Sequence, residues 1–121
     1  MSTPVGPYSA WRRAGDFVIL SGQLGLVSAD GAQSMVDGGA ADQLRQALVN
    51  ARQVLAGAGA TLDQVVKGTL FLTDMADFAS CNEVWVEAFD APRPTRSAVA
   101  VAQLPLGALA EVELWAYAPI V

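Results

Sequence analysis

The sequence predicts an α+β domain, a mixed β-sheet with two helices packed on one face. Three observations lead there. Apolar residues recur at helical spacing in two segments, they alternate with period two in several others, and the two kinds interleave along the chain. The whole spans 121 residues, enough for one hydrophobic core, so residues 1–121 are read as a single domain.

Residues 8–16 (YSAWRRAGD) and 17–26 (FVILSGQLGL) read as strands joined through an Ala-Gly-Asp turn. The Ser21-Gly22 pair sits where a strand normally avoids glycine, and by pattern alone it marks a β-bulge. Residues 28–33 (SADGAQ) mark another turn, leaving room for one short strand between Leu26 and Val36. From Ala40 to Ala58, Leu44, Ala47, Leu48, Ala51 and Leu55 form one helical face, which Gly57 and Gly59 end. TLDQ at 61–64 is a single short turn, and VVKGTLFLTD at 65–74 is a β-branched, aromatic strand. A second helix runs from about Ala76 to Phe89, with Phe78, Cys81, Trp85 and Phe89 on one face and Asp74 or Asp77 as its cap. TRSAVAVA (95–102) and AEVELWAYAP (110–119) alternate as strands do. The order is β-β-α-β-α-β-β. With both helices on one face, the opposite face is left for another subunit.

Composition supports that expectation. Hydrophobic residues make up 53% and charged residues 16%, against about 25% charged in a typical soluble domain. No apolar run approaches the ~20 residues of a membrane span, so the surplus points to a subunit interface and a homo-oligomer. Net charge is −5, and the seven Lys and Arg form no cluster, which argues against a nucleic-acid surface. The opening MSTPVGPYSA lacks the pattern of a signal peptide. A single cysteine, Cys81, cannot form an internal disulfide and fits a cytoplasmic setting. With no histidine, Ser-His or Cys-His chemistry and His-containing metal sites are excluded. CxxC, P-loop and GxGxxG motifs are also missing. Chemistry here falls to carboxylates, Arg, Tyr, backbone groups and water.

Two charges stand out in the last strands. Ala110, Val112, Leu114 and Ala116 form an apolar face suited to lie beneath the helices, while Glu111, Glu113, Trp115 and Tyr117 form the face expected at a subunit interface. In the neighbouring strand Arg96 shares a face with Ala98, Ala100 and Ala102, small residues that leave room for a partner chain or a ligand. Arg96 and Glu111 make an ion pair across strands, or reach water at strand ends, or Arg96 grips an anionic ligand through its planar fork. Pattern alone leaves these open.

GPYS (6–9), LSGQ (20–23), FASCNEVW (78–85) and PTRSAVAVAQLP followed by AEVE, in this order and at these spacings, resemble the Rid (YjgF-type) family of enamine/imine deaminases across nearly the whole chain. The resemblance implies a chorismate-mutase-like fold assembled as a homotrimer, with three sites in the clefts between subunits. It implies that Arg96 binds the carboxylate of a 2-imino acid and that Glu111 activates a water, with Glu113 in reserve if the register shifts by two. Tyr8, Ser21, Gly22 and Asn82 match its pocket positions, and Ala98 contributes through its backbone. As bland rivals, Tyr8 reads as a half-buried aromatic, Asn82 as a loop cap, and Cys81 as a core residue.

Two departures stand out. Ala98 replaces a cysteine common in the family, and Ala110 replaces a bulky aliphatic before the glutamate. The implied reaction is hydrolysis of 2-imino or enamine acids, such as 2-iminobutanoate or 2-iminopropanoate, to 2-oxo acids and ammonia, needing neither metal nor organic cofactor. The rival from another class is a non-catalytic trimeric module that binds small carboxylates. Ribonuclease activity is a third reading, with only Arg12, Arg13 and Arg93 to hold phosphate.

Overall fold

The computed structural model describes residues 3–121; Met1 and Ser2, part of the N-terminal stretch read above, lie outside the described residues. The chain runs β1 (Trp11–Ala14), β2 (Phe17–Leu20), β3 (Gln23–Leu24), β4 (Leu26–Ala29), β5 (Ala32–Met35), α1 (Ala40–Gly57), β6 (Val65–Leu72), α2 (Phe78–Ala88), β7 (Thr95–Ala100) and β8 (Ala110–Tyr117). The main sheet is ordered β1-β2-β8-β6-β7, with β3 also on β8, and β4 and β5 form a separate hairpin. Among the described residues only β6 and β7 run parallel, as their crossover through α2 requires.

β8 is central because its alternation is the cleanest. Ala110, Val112, Leu114 and Ala116 are fully buried against the helices, with Leu44, Val54 and Leu55 of α1 and Val84 and Trp85 of α2 in the same core. Gly68 on β6 lets α2 come close, since a Cβ there would lie 2.8 Å from the Trp85 ring and 3.1 Å from a Leu114 methyl. The face opposite the helices stays open. Phe17, Trp115 and Tyr117 stand on it edge to face, with ring centroids 6.2 and 5.5 Å apart, and Lys67 Nζ lies 5.4 Å from the Trp115 ring.

Four sequence expectations are adjusted. The strand expected over 17–26 is two short ones. From Ile19 to Gln23 there are four steps, but their partners Trp115 and Val112 are three apart, so Ser21-Gly22 is a bulge that re-aims the chain. The one short strand expected before Val36 is a two-stranded hairpin turning at Asp30-Gly31. Ala102 lies beyond β7, which ends at Ala100, so it does not continue the face of Arg96. Of the two caps considered for α2, Asp74 acts one turn earlier, accepting from Ala76 N–H at 2.8 Å, while Asp77 makes no capping bond.

Candidate active site

Arg96 and Glu111 lie on opposite faces of one sheet. Parallel pairing sets Arg96 beside Gly68, and Gly68 beside Leu114, on the helix face. Glu111 is beside Phe71, one residue out of phase, and therefore on the open face. An ion pair between them within one protomer is thus excluded by the pleat.

On the helix face, Arg96 rests against α2. Its Nη2 donates to Asn82 Oδ1 at 2.8 Å, and its guanidinium carbon lies 5.1 Å from the Trp85 ring centroid and 5.5 Å from that of Phe78. One hydrogen bond and two ring contacts orient the fork but leave most of its donors unused. Among the described residues the ion pairs are those of Arg45 with Asp42 and Glu87, so Arg96 has no carboxylate partner. Desolvation by burial lowers its pKa, without removing a charge that arginine keeps at any ordinary pH.

Ala98 follows two residues later, half-buried beside Leu70 on the sheet's parallel edge. Val101 N–H donates inward to Leu72 C=O at 2.8 Å. By the two-residue alternation, the amides of Arg96, Ala98 and Ala100 then face the unpaired edge, where a ligand can accept from them. Cys81 is fully buried beneath this group. Desolvation leads the causes that raise its thiol pKa, and the Arg96 charge opposes them only in part, so it sits there as a small apolar residue.

The second group is on the open face. Glu111 is half-buried against Gly22, whose missing side chain leaves room for the carboxylate. Desolvation raises the Glu111 pKa above the usual carboxylate range, and repulsion from Glu113 adds to it. Glu113 is one rung further along β8, beside Thr69 rather than beside the Gly22 bulge. Ser21 Oγ donates to Ser9 C=O at 2.6 Å, tying the N-terminal arm to the bulge. Tyr8 lies on that arm, 45% exposed; its hydroxyl accepts from Val5 N–H at 3.2 Å, which leaves the phenolic proton free to donate outward. A small cleft joins Tyr8 to Gly22, Gln23 and Leu24.

The sequence-expected residues therefore fall into two sets: Arg96, Asn82 and Ala98 at one edge, and Tyr8, Ser21, Gly22 and Glu111 at the other. Neither set meets the other in one chain. The motifs gave no notice of Gln43 and Asn50, amides buried on the apolar stripe of α1. Their spacing of seven within that stripe is the signal that marks them. Among the described residues no three His, Cys, Asp or Glu side chains converge as metal ligands do.

Such a subunit, a mixed sheet with two helices on one face, has known relatives in sequence and fold. A family model described as Endoribonuclease L-PSP matches residues 1–118. A RutC family protein of Pyrococcus horikoshii is 43% identical over 114 residues, 94% of this chain and 89% of that protein. A 2-iminobutanoate/2-iminopropanoate deaminase of Dermatophagoides farinae is 40% identical over 110 residues, covering 91% of this chain and 84% of that one. The crystal structure of RidA from the Antarctic bacterium Psychrobacter superposes with a TM-score of 0.88 at 39% identity, over 95% of this chain and 91% of that one. The chain belongs to this YjgF/RidA family, and its fold is the family's.

Proposed function

We propose that this chain hydrolyses 2-imino and enamine acids to 2-oxo acids and ammonia. It works as a homotrimer whose three clefts each join the Arg96 edge of one subunit to the Glu111 face of the next. The observation that carries the reading is the separation of Arg96 and Glu111 by the sheet, which gives each protomer two halves that only a second copy can bring together. The open aromatic face of Phe17, Trp115 and Tyr117 supports the assembly, since apolar surface of this kind is rarely left in water. The similarity to named imine deaminases supports the reaction.

In this reading Arg96 takes the substrate carboxylate with a fork that Asn82 holds in place, and the Ala98 amide offers a further donor. The imine carbon is already electrophilic, so orientation supplies most of what is needed. Glu111 holds a water and accepts its proton as the oxygen bonds to that carbon, giving a carbinolamine. That proton passes to nitrogen, the hydroxyl proton follows it through Glu111, the C–N bond breaks, and ammonia leaves with the 2-oxo acid behind. Tyr8 donates a hydrogen bond to the intermediate's oxygen or nitrogen, and Ser21 and Gly22 shape the wall. Residues 1–121 act as one domain, in a cytoplasmic setting suited to an unpaired Cys81. Nucleic acid is not its partner on this reading: Arg13 is bonded to the carbonyl of Ala118 and Arg93 to that of Phe89, which leaves Arg12 without them. Among the described residues no helix is long and apolar enough to cross a membrane.

The test follows imine hydrolysis across a panel of 2-imino acids generated in place by an amino-acid oxidase, alongside 2-oxobutanoate binding. Turnover that Arg96→Ala and Glu111→Gln both abolish, with binding lost only in the first, is expected. Binding without turnover in the wild type would make the chain a carboxylate-binding module instead.

A further inference from the structure

We infer that Asn50 and Gln43, two buried amides on the inner face of α1, are positioning residues that fix the backbone on both sides of Glu111; the inference rests on the imine-hydrolysis reading above. Among the described residues, three polar side chains are buried: Gln23, Gln43 and Asn50. A buried amide is costly unless it is hydrogen-bonded, so where these bonds go is informative. All but one go to the strands and loops around the carboxylate.

Asn50 Nδ2 donates to Leu24 C=O at 3.0 Å and to Leu26 C=O at 2.9 Å. Gln46 Nε2 donates to Asn50 Oδ1 at 3.0 Å, which fixes the amide so that both Nδ2 hydrogens face the strands. Gln43 Oε1 accepts from Leu109 N–H at 2.8 Å. Gln23 Nε2 donates to Ser21 C=O at 3.2 Å, bracing the bulge. Leu24 is the register partner of Glu111, and Leu109 precedes Glu111 by two residues. The helix thus grips the chain that walls the carboxylate and the chain that carries it.

Gly25 makes this grip possible. A Cβ there would lie 2.5 Å from Gln43 C=O and 2.7 Å from Gln43 Cα, so only glycine lets α1 come within reach of both neighbouring carbonyls. Apolar packing of α1 through Leu44, Leu48 and Leu55 is non-directional and tolerates small slides. Hydrogen bonds have narrow limits of distance and angle, and these set where β3 lies. Gly22, the wall of the Glu111 carboxylate, is two residues from the grip.

Replacing Asn50 with leucine leaves the carbonyls of Leu24 and Leu26 without partners. They then seek water, β3 moves off α1, and the wall at Gly22 loosens. More water at Glu111 removes part of the desolvation that leads its raised pKa, so the carboxyl titrates lower. The other groups near Glu111 are Glu113 on β8, Lys67 on the same face of β6, Tyr8 on the arm and, in the assembled cleft, Arg96 of a second copy. Facing residues of β3 and β7 carry no charge there. None of these groups is altered by the substitution.

The experiment measures kcat, KM, the pH profile of imine hydrolysis and thermal stability for the wild type, Asn50→Leu, Gln43→Met, Gln43→Glu and Val54→Ala. Asn50→Leu and Gln43→Met should lower kcat on the order of tenfold, with KM moving by less than about twofold and the acid limb shifting to lower pH. Gln43→Glu keeps an acceptor for Leu109 N–H and should retain more of the wild-type kcat than Gln43→Met, while the buried carboxyl lowers Tm and any charge on it moves the acid limb up rather than down. Val54→Ala, a core truncation on the same helix, should lower Tm without these kinetic changes. If Asn50→Leu does not fold, the Gln43 pair decides. Unchanged kcat and acid limb in the folded variants, with an active wild type, overturn the network alone. A wild type that hydrolyses no imine overturns the parent reading and the network together.

Discussion

The carboxylate of Glu111 fills the space that a side chain on Gly22 would need. A Cβ built on Gly22 would lie 2.8 Å from Glu111 Cδ and 3.2 Å from Cγ. Gly22→Ala therefore pushes the carboxylate off its resting place while leaving the backbone intact, because the far end of a flexible side chain can give way. kcat should fall by up to about a hundredfold if the shift approaches 1 Å. Circular dichroism and Tm should stay near wild type. Kinetics at wild-type level would show that the carboxylate works from another position.

Mixing two dead variants tests where the site is. Arg96→Ala and Glu111→Gln should each be inactive. Co-expressed in equal amounts and assembled at random, they should recover about a quarter of wild-type activity if, as proposed, each cleft draws its arginine and its glutamate from different chains. A site completed within one chain would recover nothing.

The pH profile follows from the direction of the Glu111 shift. As the proposed base, Glu111 must be ionised, so activity falls as pH drops through its pKa; burial within the subunit raises that pKa, and Arg96 of the second copy acts against the rise in the proposed cleft. Desolvation is the main cause and the Glu113 charge the second. Glu113→Gln should move the limb down in pH and leave most of kcat at neutral pH. Loss of turnover in Glu113→Gln, with Glu111→Gln still active, would exchange their roles.

Gly68→Ala should be felt at Arg96 through the Trp85 ring. The added methyl meets the Trp85 ring, which is the shelf beneath the guanidinium. Overpacking of this kind costs about 1–3 kcal/mol. Tm should drop, and KM should rise more than kcat falls, as expected of a displaced carboxylate grip. A lower Tm with unchanged KM would mean that Trp85 gives way without carrying Arg96 along.

How much the sequence foretold depends on the range of the interaction involved. The helix of Ala40–Gly57 and the strand of Ala110–Tyr117 were legible because periodicity is a local property, set by backbone geometry and repeated over many residues. The bulge at Ser21-Gly22 was legible for the same reason, since glycine in a strand is a local anomaly. The β4–β5 hairpin was half missed because its residues Val27, Ser28, Gln33 and Ser34 alternate weakly and bury little.

Residues 93–113 held the identity of Arg96 and Glu111 as the unusual charges of an apolar region, and the motifs around them pointed to a family. Those facts are written in residue types and short spacings. That the two charges face away from each other was not written there. It follows from β6 lying between β7 and β8, which fixes the phase of one strand's pleat against the other. The grip of Asn50 on Leu24 likewise joins residues 26 positions apart. Alternation along a strand is decided by neighbours in the chain, but the phase between strands and the reach of a helix onto them are decided only when the sheet closes.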